Sequence, residues 1–248
     1  MTLTGRTAIV TGGGRGIGQA IAQALAEAGA AVAVADIDCS SAQVTAEALA
    51  GEGARTLALT VDVADSTAVR EMVARTVETL GGLHILVNNA AICTLSPIEE
   101  IGEGEWDRVL DVNLKGPFLC AQAALPIMRQ QRYGRIINIA SAAGKMGSLT
   151  AGAHYAASKG GLIAFTMCLA RQYAPYNITA NAIAPGPAAT DMTRDWPEET
   201  KQLLMERIPL GRMACPQDVA AAALFLACDE AGFITGEVLD VNGGFLMD

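Results

Sequence analysis

Tyr155 and Lys159 stand four residues apart in the run Ala153-His154-Tyr155-Ala156-Ala157-Ser158-Lys159-Gly160. On a helix that spacing puts the phenol and the ammonium on one face, where the cation can stabilise a phenolate. A tyrosine of ordinary pKa near 10 is a poor acid or base at neutral pH. It needs help of about three units, on the order of 4 kcal/mol, and a fixed positive charge beside it is one source. The pair alone does not separate chemistry from a ring lying against a lysine stem on a surface. A second group with chemical meaning is Thr11-Gly12-Gly13-Gly14-Arg15-Gly16-Ile17-Gly18, which follows a short apolar run and precedes a helical pattern. Glycines in such a turn let the main chain approach a pyrophosphate, and the next helix offers unpaired N–H groups to its charge. The spacing is G-x-x-x-G-x-G rather than G-x-G-x-x-G, whose last glycine position is Ile17 here. Asp36 ends the second apolar run. A carboxylate there accepts both ribose hydroxyls of an adenosine and repels a 2′-phosphate, which favours NAD over NADP. Arg15 pulls the other way, because a guanidinium in the glycine loop can pair with a 2′-phosphate. Asp36 weighs more, since an uncompensated buried like charge costs more than a surface arginine returns.

These groups must be positioned by a scaffold, and the chain has material for a large one. It is 248 residues long, 51% apolar and only 17% charged, a length common among single-domain α/β folds. The formal net charge of −9 and the absence of basic runs argue against a nucleic-acid partner, which needs clustered Lys and Arg. Six cysteines without a Cys-x-x-Cys pair, and only two histidines, indicate neither a metal site nor a disulfide framework. No apolar stretch reaches the ~18 residues of a membrane span and the N-terminus lacks a signal-peptide pattern, so a soluble cytoplasmic protein is expected. Short β-like runs at 7–10, 31–36, 56–61, 85–88, 135–139, 178–183 and 238–241 alternate with helical patterns at 16–28, 41–50, 66–80, 105–130, 152–173 and 218–228. Strict alternation implies a doubly wound parallel sheet of about seven strands with helices on both faces, as one domain over 1–248. The irregular stretch 185–209, rich in Pro and charge, lies beyond a strand carboxyl end, where ligands bind, and reads as a substrate lid.

Together the pieces resemble the short-chain dehydrogenases/reductases, in the branch with chains of about 250 residues and a Rossmann fold. The resemblance runs along the whole chain. The family's cofactor pattern Thr-Gly-x-x-x-Gly-x-Gly is matched by Thr11, Gly12, Gly16 and Gly18, with Arg15 and Ile17 between them. Asp62-Val63 is similar to the pair that meets the adenine ring in the family. The Asn-Asn-Ala-Gly motif stands here as Asn88-Asn89-Ala90-Ala91, so Asn89 and Ala90 are implied in cofactor binding. Ala91 departs from the motif, and where glycine takes φ > 0 an alanine costs about 1 kcal/mol or shifts the loop. The catalytic tetrad of Asn, Ser, Tyr and Lys finds its matches in Asn113, Ser141, Tyr155 and Lys159. Pro185-Gly186-Pro187-Ala188-Ala189-Thr190 resembles the segment that holds the nicotinamide carboxamide, with Ala188 smaller than the usual Val or Ile.

The resemblance implies reversible hydride transfer between a nicotinamide and a carbinol carbon, with Tyr155 as acid/base. Lys159 would lower the Tyr155 pKa and hold the nicotinamide ribose, Ser141 would bond the substrate oxygen, and Asn113 would hold a water linking Lys159 to solvent. By analogy the substrate pocket draws on Ile92, Cys93, Thr94, Ser141, Ala143, Lys145, Met146, Tyr155, Gly186 and Trp196. Lys145 reads as a solvated loop residue rather than an anion site. A polyol, sugar or hydroxy-ketone is expected with NAD. A 3-oxoacyl thioester reductase using NADPH, and a non-catalytic nucleotide-binding scaffold, are the alternatives. The family's usual assembly implies a homotetramer through the Ala-rich faces of 105–130 and 152–173.

Overall fold

In a computed structural model, which describes residues 1–148, 151–194 and 196–247, seven parallel strands form one sheet. In chain order the elements are β1 (Thr7–Thr11), α1 (Gly16–Glu27), β2 (Ala31–Asp36), α2 (Cys39–Gly51), β3 (Thr56–Thr60), α3 (Ser66–Leu80) and β4 (Ile85–Asn88). Then come α4 (Glu103–Leu110), a π-helical turn (Asp111–Lys115), α5 (Gly116–Gln131), β5 (Gly134–Ile139), α6 (Ala143–Met146) and α7 (Ala153–Tyr173). β6 (Ile178–Pro185), α8 (Asp191–Arg194), α9 (Glu198–Met205), α10 (Pro216–Ala227) and β7 (Val238–Val241) complete the fold. The spatial order β3-β2-β1-β4-β5-β6-β7 reverses direction between β1 and β4, which opens a crevice at their carboxyl ends.

The strands read as continuous apolar runs because helices cover both faces of the sheet. Alternation along each strand then divides its side chains between two cores. Ala8, Val10, Val32, Val34 and Ile137 face Ile21 and Leu25 of α1, Leu49 of α2 and Val219 and Leu226 of α10. Ile9, Ala33, Leu86 and Ile136 face Met72 of α3, Cys120 and Met128 of α5 and Leu169 of α7.

Two departures from the sequence reading affect the site. The continuous helix expected over 105–130 is three pieces, with a π turn between α4 and α5. A π turn inserts one residue and rotates the succeeding helix about its axis, a device found often at functional sites. Ala91 is not among the residues with positive φ, so alanine meets no left-handed strain where the family motif carries glycine. The segment 185–209 contains β6's last residue and the whole of α8 and α9, and Asp195 within it lies outside the described residues.

Candidate active site

The crevice is a cleft of about 570 Å³ that runs from Asp36 and Ile37 past the glycine loop to Tyr155 and Trp196. At its β1 end, the Thr11 hydroxyl donates to Val87 O (3.3 Å) and accepts from the N–H groups of Asn89 and Ala90 (3.0 and 3.2 Å). Asn89 Nδ2 donates to Thr11 O and Gly12 O, both at 3.0 Å. These bonds tie the glycine turn to the end of β4. Gly12 and Gly16 take φ of 61° and 56°, where a side chain would strain the turn. Gly18 lies under the turn rather than in the cleft wall, and a Cβ there would collide with Gly12 O.

Asp36 is buried, and its carboxylate closes the turn: Oδ2 accepts from Gly14 N–H (3.0 Å) and Oδ1 from Asp38 N–H (3.1 Å). Each oxygen keeps a further lone pair. Arg15, exposed on the same cleft, and Ile37, 59% exposed, flank it. Asp62 and Val63 line the next stretch of wall, with Asp62 Oδ2 3.1 Å from Arg108 Nη2. Ile17, Asn89, Ala90, Pro185, Gly186, Ala188 and Thr190 line it too. The 187–189 segment is held against Ala214, which exchanges main-chain bonds with Pro187 (2.9 Å) and Ala189 (2.8 Å).

At the other end, Ser141, Tyr155 and Lys159 converge on the cleft from β5's carboxyl end and from the first turns of α7. The Ser141 hydroxyl hydrogen-bonds the Tyr155 phenol and accepts from Ala143 N–H at 3.1 Å. Burial pushes the Tyr155 phenol above its ordinary value, the Cys93 thiol beside it acts in the same direction, and the Ser141 hydrogen bond acts against both. Lys159 is 2% exposed, donates to Ile139 O at 2.7 Å, and lies 5.7 Å from the Tyr155 ring centroid. Burial pulls its ammonium down to about 8. The dominant influence on both groups is therefore desolvation, with the cation against the ring face rather than bonded to the phenol oxygen.

Asn113 sits fully buried in the π turn, outside the cleft wall. Its Oδ1 accepts from Ile92 N–H and its Nδ2 donates to Ile92 O, both at 2.9 Å, with a further bond to Ser158 Oγ at 3.2 Å. A water held for Lys159 would have to use the second lone pair of Oδ1 or the main chain. Of the expected substrate residues, Ile92, Cys93, Ala143, Gly186 and Trp196 line the cleft along with Ser141 and Tyr155. Met146 does not, and is 43% exposed. Lys145 is not a solvated lysine: its Nζ lies 2.6 Å from Asp240 Oδ2 on β7, with both side chains largely buried. Thr94 faces a cluster that the sequence reading did not assemble, bonding Glu105 Oε1 (2.7 Å) and His154 Nε2 (2.8 Å). Ile37, Ser148, Ala151, Thr193, Leu204 and Phe245 are further wall residues without any spacing signal in the sequence.

A family model described as enoyl-(acyl carrier protein) reductase matches residues 12–246. The (2S)-[(R)-hydroxy(phenyl)methyl]succinyl-CoA dehydrogenase subunit BbsD of Thauera aromatica is 39% identical, over 98% of this chain and 98% of its own. The 3-oxoacyl-[acyl-carrier-protein] reductase FabG of Staphylococcus aureus is 42% identical, again over 98% of each chain. The crystal structure of a short-chain type dehydrogenase/reductase from Mycobacterium marinum is similar with a TM-score of 0.95 at 34% identity, covering 100% of this chain and 98% of that one.

Proposed function

The chain belongs to the short-chain dehydrogenase/reductase family of oxidoreductases, which bind a nicotinamide cofactor, and from that premise we propose that it interconverts a secondary alcohol and its ketone. NAD is the preferred dinucleotide and a polyol, sugar or hydroxy-ketone the substrate. The observation that carries the reading is the convergence of Ser141, Tyr155 and Lys159 on a cleft whose far end is a glycine turn closed by Asp36.

The residues present fit a dinucleotide. The turn at Gly12 and Gly16 exposes main chain where a Cβ would intrude on Ala90 or on the backbone conformation itself. The α1 N-terminus, without a side-chain cap, leaves N–H groups for a pyrophosphate. Asp36 has lone pairs for ribose hydroxyls, Asp62 and Val63 border the adenine end, and Asn89, Ala90, Pro185, Gly186, Ala188 and Thr190 border the nicotinamide end. When bound, the nicotinamide supplies the two-electron acceptor or donor. Tyr155 moves the proton of the substrate oxygen, and Ser141, already bonded to that phenol, stabilises charge as it develops on the same oxygen. Lys159, with its ammonium brought down to about 8 by burial, exchanges a proton at working pH and offsets negative charge on Tyr155. Asn113 acts one step back, fixing Ile92 in the cleft wall. Thr190, Thr193, Trp196 and Leu204 bring the 185–209 segment to the cleft, which supports its role as a lid.

A second reading, reduction of a 3-oxoacyl thioester with NADPH, is favoured by the 42% identity to the Staphylococcus aureus reductase and by Arg15 on the cleft. The chain works as a cytoplasmic homotetramer in either reading. Phe118 and Met167, exposed on α5 and α7, support that assembly, and no described helix is long and apolar enough to cross a membrane. The test is a screen of NAD⁺ and NADP⁺ against polyols, sugars, diols and hydroxy acids, run beside NADH and NADPH against a 3-oxoacyl-CoA. Turnover with NAD⁺ and a secondary alcohol is expected. Preferred turnover of the thioester with NADPH overturns the first reading in favour of the second, and no turnover with any pair leaves only a binding role.

A further inference from the structure

His154, the residue before Tyr155, is completely buried, yet every polar atom of its ring is matched. Its Nδ1 accepts the main-chain N–H of Tyr155 at 3.0 Å. Its Nε2 meets Thr94 Oγ1 at 2.8 Å and Glu105 Oε1 at 3.0 Å. An imidazole whose Nδ1 accepts that N–H carries its proton on Nε2, which faces the Thr94 hydroxyl and the Glu105 carboxylate. Glu105 also accepts from Thr94 and from Ser96, both at 2.7 Å, and these hydroxyls, then His154, hold its carboxyl down to about 2. The ring is wedged in place. Trp106 stacks on it at 6.4 Å, and a Cβ on Gly152 would collide with His154 Cε1. Gly152 N–H in turn donates to Thr94 O at 2.8 Å.

The connections join three elements. Glu105 belongs to α4, Thr94 and Ser96 to the loop after β4, and His154 to the first turn of α7, whose Gly152 N-cap supplies no side-chain bond of its own. The Tyr155 N–H is shared between Gly152 O at 3.1 Å and His154 Nδ1, so the ring adds a side-chain contact to the main chain of the residue that carries the phenol. The same loop carries Cys93 against Tyr155 and Lys159, and its start, Ile92, is clamped by Asn113. We infer that His154, bridging to Glu105 and Thr94, is a positioning residue that sets where the Tyr155 phenol stands relative to the cleft. This inference rests on the proposed role of Tyr155 as acid/base. Misplacement of a reacting group by about 1 Å costs on the order of a hundredfold in rate.

The test measures kcat, KM and the isotope effect of a carbinol-deuterated substrate, using the secondary alcohol found by the screen above, together with NADH affinity by fluorescence. His154→Ala is expected to lower kcat about 10- to 100-fold, to raise the isotope effect on kcat, and to leave the Kd for NADH within about threefold, because the ring lies outside the glycine turn. His154→Gln, which keeps a donor near Nε2, recovers part of kcat. Glu105→Ala lowers kcat in the same way, and the double variant is no slower than the worse single one, since both break one network. A purely structural role would lower thermal stability and active fraction with the isotope effect unchanged, and that result overturns the inference, as do additive losses. If His154→Ala does not fold, Glu105, whose side chain is 31% exposed, decides, and a Glu105→Ala enzyme with normal kcat and isotope effect overturns it. Tyr155→Phe is run alongside. Turnover that survives Tyr155→Phe refutes the role of Tyr155 itself, whereas loss there with normal kcat in His154→Ala refutes only the positioning.

Discussion

Replacing Asp36 by Asn separates the two dinucleotides. Both oxygens of this buried carboxylate already accept one main-chain N–H each, from Gly14 at 3.0 Å and Asp38 at 3.1 Å, and these bonds hold it at the end of the cleft. A 2′-phosphate brought to the same place would put unit charges about 4 Å apart, and at an effective dielectric near 20 each pair repels by about 4 kcal/mol. Arg15 and solvent screening remove part of this. A remainder of about 2 to 4 kcal/mol corresponds to roughly 30- to 1,000-fold tighter binding of NADH than of NADPH by the native protein. In Asp36→Asn the new amide must turn its NH₂ towards one of the two main-chain donors and lose a charge-assisted bond, about 1.5–3 kcal/mol. That loss falls on the turn itself. The neutral amide also accepts less strongly from the ribose hydroxyls, a charge-assisted bond worth about 1.5–3 kcal/mol, so NADH affinity should fall about 10- to 100-fold while NADPH escapes the repulsion and loses far less. Fluorescence titration of both reduced dinucleotides against both proteins gives the four constants. Native protein that binds NADPH as tightly as NADH, or an Asp36→Asn variant with the native ratio, refutes the reasoning.

Gly18→Ala drives a Cβ into Gly12 O and against Asn89 Nδ2, so the glycine turn must shift. The expected cost is about 2–3 kcal/mol, read as a Tm lower by about 4–12 °C and NADH binding weakened at least about 30-fold; an unchanged Kd contradicts it. Lys159 has its folded pKa, about 8, below the ordinary 10.5, so the unfolded chain binds the extra proton across that window. The burial penalty, on the order of 3 kcal/mol, is full below pH 8 and is relieved as pH rises towards 10.5. Denaturant melts from about pH 7 to about pH 10 should show native stability gaining on that of Lys159→Met, and parallel curves would contradict this. Burial raises the Cys93 thiol to about 11, whereas Cys39 and Cys168 are exposed. Iodoacetamide at about pH 7.5 followed by peptide mass spectrometry should label Cys39, which lies on α2 away from α5 and α7, and spare Cys93, and prompt Cys93 labelling would show that its thiol is not desolvated.

The sheet was legible because its strands are buried on both faces, which turns each into an apolar run bounded by turns. The strand ends moved by two residues at most, as Pro185 shows at the end of β6. The π turn was not legible. Residues 103–131 keep one helical pattern in sequence, and the extra residue that turns Asn113 inward comes from tertiary packing. The four-residue helices α6 and α8 are too short to carry a period. Motif order brought Asn113, Ser141, Tyr155 and Lys159 into view. Glu105 read only as an acidic residue at a helix start, and nothing in the chain pairs it with His154, 49 residues away. Lys145 looked solvated because its partner Asp240 lies 95 residues on, across the last strand.

Turnover by Tyr155→Phe tests most directly whether this cleft moves a proton through the phenol. With the ring kept and only the hydroxyl removed, NADH should bind within about threefold of the native affinity while kcat falls by about a hundredfold to ten-thousandfold, the usual contribution of a positioned acid or base. Turnover within about tenfold of native by a variant that binds NADH normally would contradict the account.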